Sequence, residues 1–189
     1  MILCLVRFIL LLTGISQIGH NKSFLYEPRG FDSIEHHDTE ILIKCNQIVK
    51  PEDELWILGD LALGLNEKEW NRIYKALFCR NIHFIIGNHD SEKKVNKYIM
   101  DYNFICEGYA KPFKYSKRRV FFLSHYPTLT GNFDDDKKLS IWNISGHVHS
   151  KEKFHPQGCI YNVSLDAHDN YPVSIETIVK DILKKEGKI

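Results

Sequence analysis

Apolar runs that stop abruptly at polar, chemistry-bearing residues recur along this chain. Leu55-Trp56-Ile57-Leu58 runs into Gly59-Asp60, and Ile82-His83-Phe84-Ile85-Ile86 into Gly87-Asn88-His89-Asp90. Val120-Phe121-Phe122-Leu123 ends in Ser124-His125, and Leu139-Ser140-Ile141-Trp142-Asn143-Ile144-Ser145 in Gly146-His147-Val148-His149. Short, nearly continuous and rich in β-branched and aromatic residues, these runs read as buried strands. Met1 to Leu12, interrupted only by Arg7, reads as a first buried strand. It is too short to cross a bilayer, and no A-x-A-like cleavage site follows it.

Between the runs the period changes to that of helices. Asp32 or Ser33 can cap a helix from Ile34 to Val49, with Ile34, Ile41, Cys45 and Ile48 or Val49 on its apolar face and Lys50-Pro51 as its stop. His36 and His37 are expected to face solvent. Asn66 caps a helix to about Phe78 whose inner face is Trp70, Ile73, Tyr74 and Leu77, and Ser91 to Met100 is a third helix. Phe104 to Cys106 and Phe113 to Tyr115 are short strands, the latter paired with Val120 to Ser124 across Lys117-Arg118-Arg119, a solvated hairpin tip. Gly158 to Ser164 and Ala167 to Tyr171 complete a second sheet. Pro172 begins a terminal helix with Ile175, Ile178 and Ile182 inward. Asn21 to Phe31 is a polar and aromatic loop whose Pro28 and Gly30 exclude a regular element. Thr128 to Lys138, with Asp134-Asp135-Asp136, is a long solvated loop. Strand–helix alternation over the first hundred residues, followed mostly by strands, predicts an α/β protein of two packed mixed β-sheets flanked by helices. With 189 residues, one domain spanning 1–189 accounts for the chain.

Composition narrows the class. Hydrophobic residues at 43% and charged ones at 26% are ordinary for a globular protein, and a formal charge of +1 supplies no field for non-specific nucleic-acid binding. The five cysteines are odd in number and widely spaced, which fits reduced thiols and a cytoplasmic location.

A lone Gly-Asp after a strand is a turn, and a lone His is ordinarily structural. Four successive strand ends bearing only oxygen or imidazole donors are a different matter, because these donors suit a borderline divalent metal. Gly59-Asp60, Gly87-Asn88-His89-Asp90, His125 and Gly146-His147-Val148-His149 resemble, in order, the blocks of the calcineurin-like metallophosphoesterases in their small, single-domain bacterial or phage form. The resemblance runs from about Thr13 to the terminal helix. It implies a four-layer αββα sandwich and a hydrolase that cleaves a phosphate monoester or diester with two divalent metals, Mn²⁺ first, with Fe, Zn or Ni as alternatives. By that resemblance Asp60 bridges both metals. Asn88, His125 and His147 complete one position, and His149 belongs to the other. His89 protonates the leaving oxygen, and Asp90 fixes the tautomer of His89. Two metals bridged in this way would acidify a shared water and clamp the phosphate oxygens for in-line attack. His20, Asn21 and Arg29 are candidates for the substrate phosphate, Arg29 through its planar fork.

One block departs from the family. Its first strand ends in Asp-x-His, whereas anchoring on Gly19-His20 puts Ile15 at the Asp position and Gln17 at the His position. Ile15 cannot bind a metal and Gln17 is a weak neutral ligand, so one metal position lacks its private ligands. The codons of Arg7 to Ser16 can be chosen so that reading from the third base gives Val-Tyr-Ile-Thr-Ser-Asp-Trp-His-Ile, a family-like first block. A frame-shifted N-terminal translation is therefore one expectation. A catalytically impaired member, acting as a phosphate-ligand or protein-binding module, is another. A structural zinc protein fits less well, since closed zinc sites favour Cys and the cysteines here avoid the cluster. The expected partner is a phosphorylated small molecule or phosphodiester, with no membrane and no strong nucleic-acid signature; oligomeric state and exact substrate are not legible.

Overall fold

The structure, a computed structural model, describes residues 10–14, 16–130 and 140–189. Ile15, the residues before Leu10 and the acidic triplet Asp134–Asp136 lie outside the described residues.

The chain is α/β with two mixed sheets flanked by helices. The elements in order are β1 (Leu10–Thr13), α1 (Ser23–Tyr26), α2 (Ile34–Ile48), β2 (Glu54–Leu58), α3 (Glu67–Ala76), β3 (Asn81–Ile85), α4 (Glu92–Tyr102), β4 (Ile105–Cys106) and β5 (Ala110–Ser116). They continue with β6 (Arg119–Ser124), β7 (Ser140–Ser145), β8 (Ile160–Asn162), a 3₁₀ turn at Leu165–Ala167, β9 (Val173–Ser174) and α5 (Ile175–Lys185). The first sheet has the order β4-β3-β2-β1-β9, parallel except for β9; the second, β5-β6-β7-β8, is parallel except for the β5–β6 hairpin.

Strand alternation sorts the core into two layers. Leu11, Leu55, Ile57, Ile82 and Phe84 face α2, α3 and α4, where they meet Cys45, Trp70, Ile73 and Tyr98. Their neighbours Leu12, Trp56, Leu58 and Ile85 face the second sheet and meet Phe121, Leu123, Trp142, Ile144 and Tyr161. Ile175, Ile178 and Ile182 of α5 are buried in that same inter-sheet core. The caps follow the local sequence: Ser33 accepts from the His36 amide, and Asn66 and Glu69 form a reciprocal capping box.

Beyond their shared core, the backbones of the two sheets meet where β1 and β7 end. A Cβ on Gly14 would lie 2.3 Å from Gly146 Cα, so only glycine lets the end of β1 cross the end of β7. Gly14 then makes an isolated bridge to Ser164, two residues past the end of β8, bringing the exits of β1, β7 and β8 together.

Several expectations are corrected. Ala167 to Tyr171 is not a strand: the 3₁₀ turn and a tight turn with Asp169 and Asn170 at positive φ occupy it, and the chain returns to the first sheet as β9. Pro172 precedes that strand, so Ser174 rather than Pro172 opens the terminal helix. Within Asn21 to Phe31 a single helical turn forms, anchored by buried Leu25. His37 faces inward with its side chain fully buried, because Arg29 and Asp38 supply its polar partners. Arg119 is likewise buried, paired with Glu186 at 2.9 Å, while Lys117 and Arg118 remain exposed at the hairpin tip.

Candidate metal centre

Leaving β2, the chain turns through Gly59 at φ +85° and Asp60 at φ +54°. A Cβ at Gly59 would fall 2.3 Å from His125 Nδ1, so the turn needs glycine both for its dihedral and for the ring packed against it. Asp60 has a side chain and adopts the left-handed region nonetheless, a conformation that surrounding bonds must impose. Its N–H donates to Asp90 Oδ2 at 2.9 Å, its carbonyl accepts from the Gln17 N–H at 3.0 Å, and its Oδ1 accepts from the His89 N–H at 2.8 Å.

Asp90 is the brace of this arrangement. Oδ2 also accepts from the Gly87 N–H at 2.9 Å, and Oδ1 accepts from the Tyr98 hydroxyl at 3.4 Å. Burial raises the pKa of Asp90, against the pull of the two N–H donors, and burial followed by the Asp90 charge raises that of the Tyr98 phenol. The expected bond from Asp90 to the His89 ring is not what its oxygens make. They are committed to the two turns, and the His89 side chain stands exposed at the rim.

Three side chains, each from a different strand end, converge on His125 Nε2. Asn88 Oδ1 lies 2.8 Å from it, His147 Nδ1 3.0 Å and Asp60 Oδ2 3.4 Å. The other ring nitrogen, Nδ1, is 2.9 Å from the Leu58 carbonyl, an acceptor, so Nδ1 carries the proton and Nε2 presents a lone pair. The Asp60 carboxylate and the Asn88 amide oxygen therefore face this lone pair together with the His147 ring nitrogen, and both His125 and Asp60 are nearly inaccessible to solvent. A cation among these donors would relieve the crowding of the Asp60 and Asn88 oxygens on Nε2. Bonds of about 2.1 Å to one ion would separate neighbouring ligand atoms by about 3.0 Å in an octahedron and about 3.4 Å in a tetrahedron, close to the three distances measured to His125 Nε2. Burial, then His125, lowers the pKa of His147 and favours its neutral, ligating form. Asp60, His125 and His147 are a group in which one atom of each lies within 4.8 Å of the others.

The second half of the site is built differently. His149 Nδ1 lies 3.3 Å from Asp166 Oδ2, and Asp166 is held by Arg29 through Nε at 3.0 Å and a terminal nitrogen at 2.8 Å. Arg29 also meets His37 Nε2 at 2.9 Å and comes within 3.5 Å of His149 Nδ1. His37 hands the chain on to Asp38, whose other oxygen accepts from the Gly19 N–H at 2.9 Å. Burial pushes the Asp166 pKa up, yet the hydrogen bonds from His149 and Arg29, with the Arg29 charge, hold it well below the ordinary carboxylate range. The Arg29 side chain is 1% exposed, so the fork expected to meet substrate instead positions Asp166 and, through it, His149. Gln17, buried and at φ +45°, turns its amide oxygen to His20 Nδ1 at 3.1 Å. Burial lowers the pKa of His20 first, and the charges of His89, Lys22 and His149 add to it. Asn21 is exposed next to it.

Sequence reasoning assigned no role to Asp166, Tyr98 or His37. Asp166 follows the end of β8 as the ligands follow the ends of their strands, and that position was its one available signal.

No protein-family model matches the chain. Uncharacterized protein MJ1445 of Methanocaldococcus jannaschii is 30% identical over 181 residues, spanning 92% of this chain and 90% of the relative. Gene 66 protein of Mycobacterium phage L5 is 25% identical over 163 residues, 73% of this chain and 76% of its own. Among solved structures, the protein of unknown function AQ665 from Aquifex aeolicus superposes with a TM-score of 0.65 at 24% identity, covering 92% of this chain and 99% of its own, which is a likeness of fold.

Proposed function

From a chain that belongs to the same family as the Methanocaldococcus jannaschii protein MJ1445 and gathers four lone-pair donors at its strand ends, we propose a metal-dependent phosphoesterase of the calcineurin-like kind. The observation that carries this reading is His125. Its Nδ1 is spent on the Leu58 carbonyl, and its Nε2 is turned into the cluster of Asp60, Asn88 and His147. A divalent ion held by these residues supplies Lewis acidity toward water and phosphate oxygens, with Mn²⁺, Fe, Zn or Ni suited to the imidazole-rich set. In the same reading the two sheets and their helices form the four-layer αββα sandwich of that family.

The chain's own groups supply the rest. Asp60 presents its two oxygens to different tasks, one fixed by the His89 amide and one facing the donors. His89, exposed and hung from the same turn, is free of side-chain bonds that would hold its ring away from a leaving oxygen, so it serves as the proton donor. His20 and His89 flank the phosphate position with imidazole N–H groups.

His149, Asp60 and Gln17 border a second metal position. A second reading, a catalytically impaired member with one metal that binds a phosphate ligand or a protein, is favoured there by the Gln17 amide bound to His20 and by the Arg29 cation beside His149. Hydrolysis of bis-p-nitrophenyl phosphate with Mn²⁺ tests both readings. The Ile15→Asp, Gln17→His double substitution is expected to raise turnover well above the parent chain, and His89→Ala to lower it. If the parent and the double substitution are both inert and take up no metal, the phosphoesterase reading fails.

A further inference from the structure

His125, His147 and His149 sit on backbone that has left its strand. The residues from His125 to Thr130 are irregular, and Gly146 to Lys153 form neither helix nor strand. Backbone of that kind holds a side chain in place only if its own polar groups are tied down. Two buried asparagines do this, Asn143 in β7 at 0% exposure and Asn162 at the end of β8 at 7%.

Each grips the loop that leaves the neighbouring strand of the sheet. Asn143 Nδ2 donates to the Ser124 hydroxyl at 2.7 Å and the Phe122 carbonyl at 2.8 Å, and its Oδ1 accepts from the Thr128 N–H at 3.0 Å. The Ser124 hydroxyl in turn donates to the Tyr126 carbonyl at 2.8 Å, so the residues on both sides of His125 are fixed. Asn162 Nδ2 faces the carbonyls of Ser150 and Glu152 at 3.1 Å and of Val148 at 3.4 Å, while its Oδ1 accepts from the Ser164 N–H at 2.9 Å. Val148 and Ser150 flank His149, and Val148 separates it from His147. The two loops are also joined directly, because the His125 carbonyl accepts from the N–H groups of Gly146 and His147 at 3.2 and 3.0 Å.

Resting on the metal-dependent reading, we infer that Asn143 and Asn162 are positioning residues of the metal centre. Acting through backbone, Asn143 sets where His125 Nε2 stands, and Asn162 does the same for His147 and His149. An ordinary loop anchor would differ in one respect: its loss would lower stability and leave the donors where they are.

The test titrates Co²⁺ into the protein by calorimetry and follows the visible absorption of the bound ion, which reports ligand geometry. Leucine is close to asparagine in shape but neither donates nor accepts. Asn143→Leu and Asn162→Leu are each expected to weaken Co²⁺ binding by about tenfold to a hundredfold, the scale of losing a group that orients a metal ligand, and to change the absorption band. Tyr161→Phe is the control, since it removes the bond from the Tyr161 hydroxyl to Asp181 at 2.7 Å from the same strand as Asn162. It is expected to lower Tm and to keep the parent's affinity and band. Asn143→Ser and Asn162→Ala, which overfill nothing, replace either leucine variant that does not fold. The parent's affinity and band in the folded asparagine variants, or an equal loss of affinity in Tyr161→Phe, overturn the inference and leave the metal centre standing. A parent chain that takes up no Co²⁺ overturns both.

Discussion

Asp166→Asn is the substitution for which the structure makes the sharpest demand. Asparagine keeps the shape and one acceptor oxygen but removes the charge that faces Arg29, whose side chain is 1% exposed. Breaking a buried ion pair by neutralising one partner costs about 3–5 kcal/mol, because the other charge stays desolvated. Arg29 retains the Ser16 carbonyl and His37, so the lower end, about 3 kcal/mol, is expected. With a urea slope of about 2 kcal/mol/M, this moves the unfolding midpoint down by about 1.5 M at unchanged slope. The pH dependence follows from the sign of the shift. The carboxyl pKa is depressed in the folded state, so its stabilisation is fully present above the ordinary value of 3.8 and is lost only as acid protonates the group below it. The deficit of Asp166→Asn should therefore be constant from pH 7 to pH 5. Adding Arg29→Met should recover part of the loss, with a coupling of about 2 kcal/mol in the double-mutant cycle. A midpoint within 0.3 M (roughly 0.6 kcal/mol) of the parent, or strictly additive losses in the cycle, would refute the claim that this pair is a buried mutual support.

Three further outcomes are expected. Mn²⁺ or Zn²⁺ at about a hundredfold over its dissociation constant should stabilise the fold by about 2.7 kcal/mol, a rise of roughly 5–10 °C in Tm that EDTA reverses; a scan of His125→Ala that still shifts with metal would disprove the assigned donors. Gly59→Ala must place a methyl 2.3 Å from His125 Nδ1 at φ +85°, so a loss of about 2 kcal/mol or more and a metal affinity weakened by about tenfold or more are expected, read by thermal melting and metal titration. Glu186 is pushed up by burial, but bonds from Lys188, Arg119 and Trp142 prevail and bring its pKa from 4.5 to about 2. After allowance for its partial exposure, Glu186→Gln should cost about 2 kcal/mol at pH 7, and chemical denaturation from pH 4.5 down to 2 should show that difference vanish.

Much of this molecule was determined by local sequence. A run such as Leu55–Leu58 can only be buried, its period of two splits its residues between two cores, and a run of that length ending in Gly59-Asp60 must turn at a sheet edge. The same holds for Asn66 with Glu69, because a capping box is made within four residues of its own chain. The identities of Asp60, Asn88, His125 and His147 were legible for that reason, since each is a donor at a predicted strand end. Tertiary structure alone decided what those donors face. That Asp90 braces Asp60 and Gly87 and leaves the His89 ring alone depends on how two turns from different strands meet. That Arg29 turns inward to Asp166, 137 residues away, depends on the turn after β8 and on α2, which bring Asp166 and His37 to its guanidinium. His37 followed the same logic: its helical position was readable, but whether it met water or a buried guanidinium was set by a contact far outside its own segment. The return of β9 to the first sheet was hidden for a related reason, since two residues carry too little pattern to reveal which sheet will accept them. Hydrophobic period and capping act over a few residues and are written in the sequence. Charge pairing, ring orientation and the convergence of donors act through space, and only the packed sheets bring those groups together.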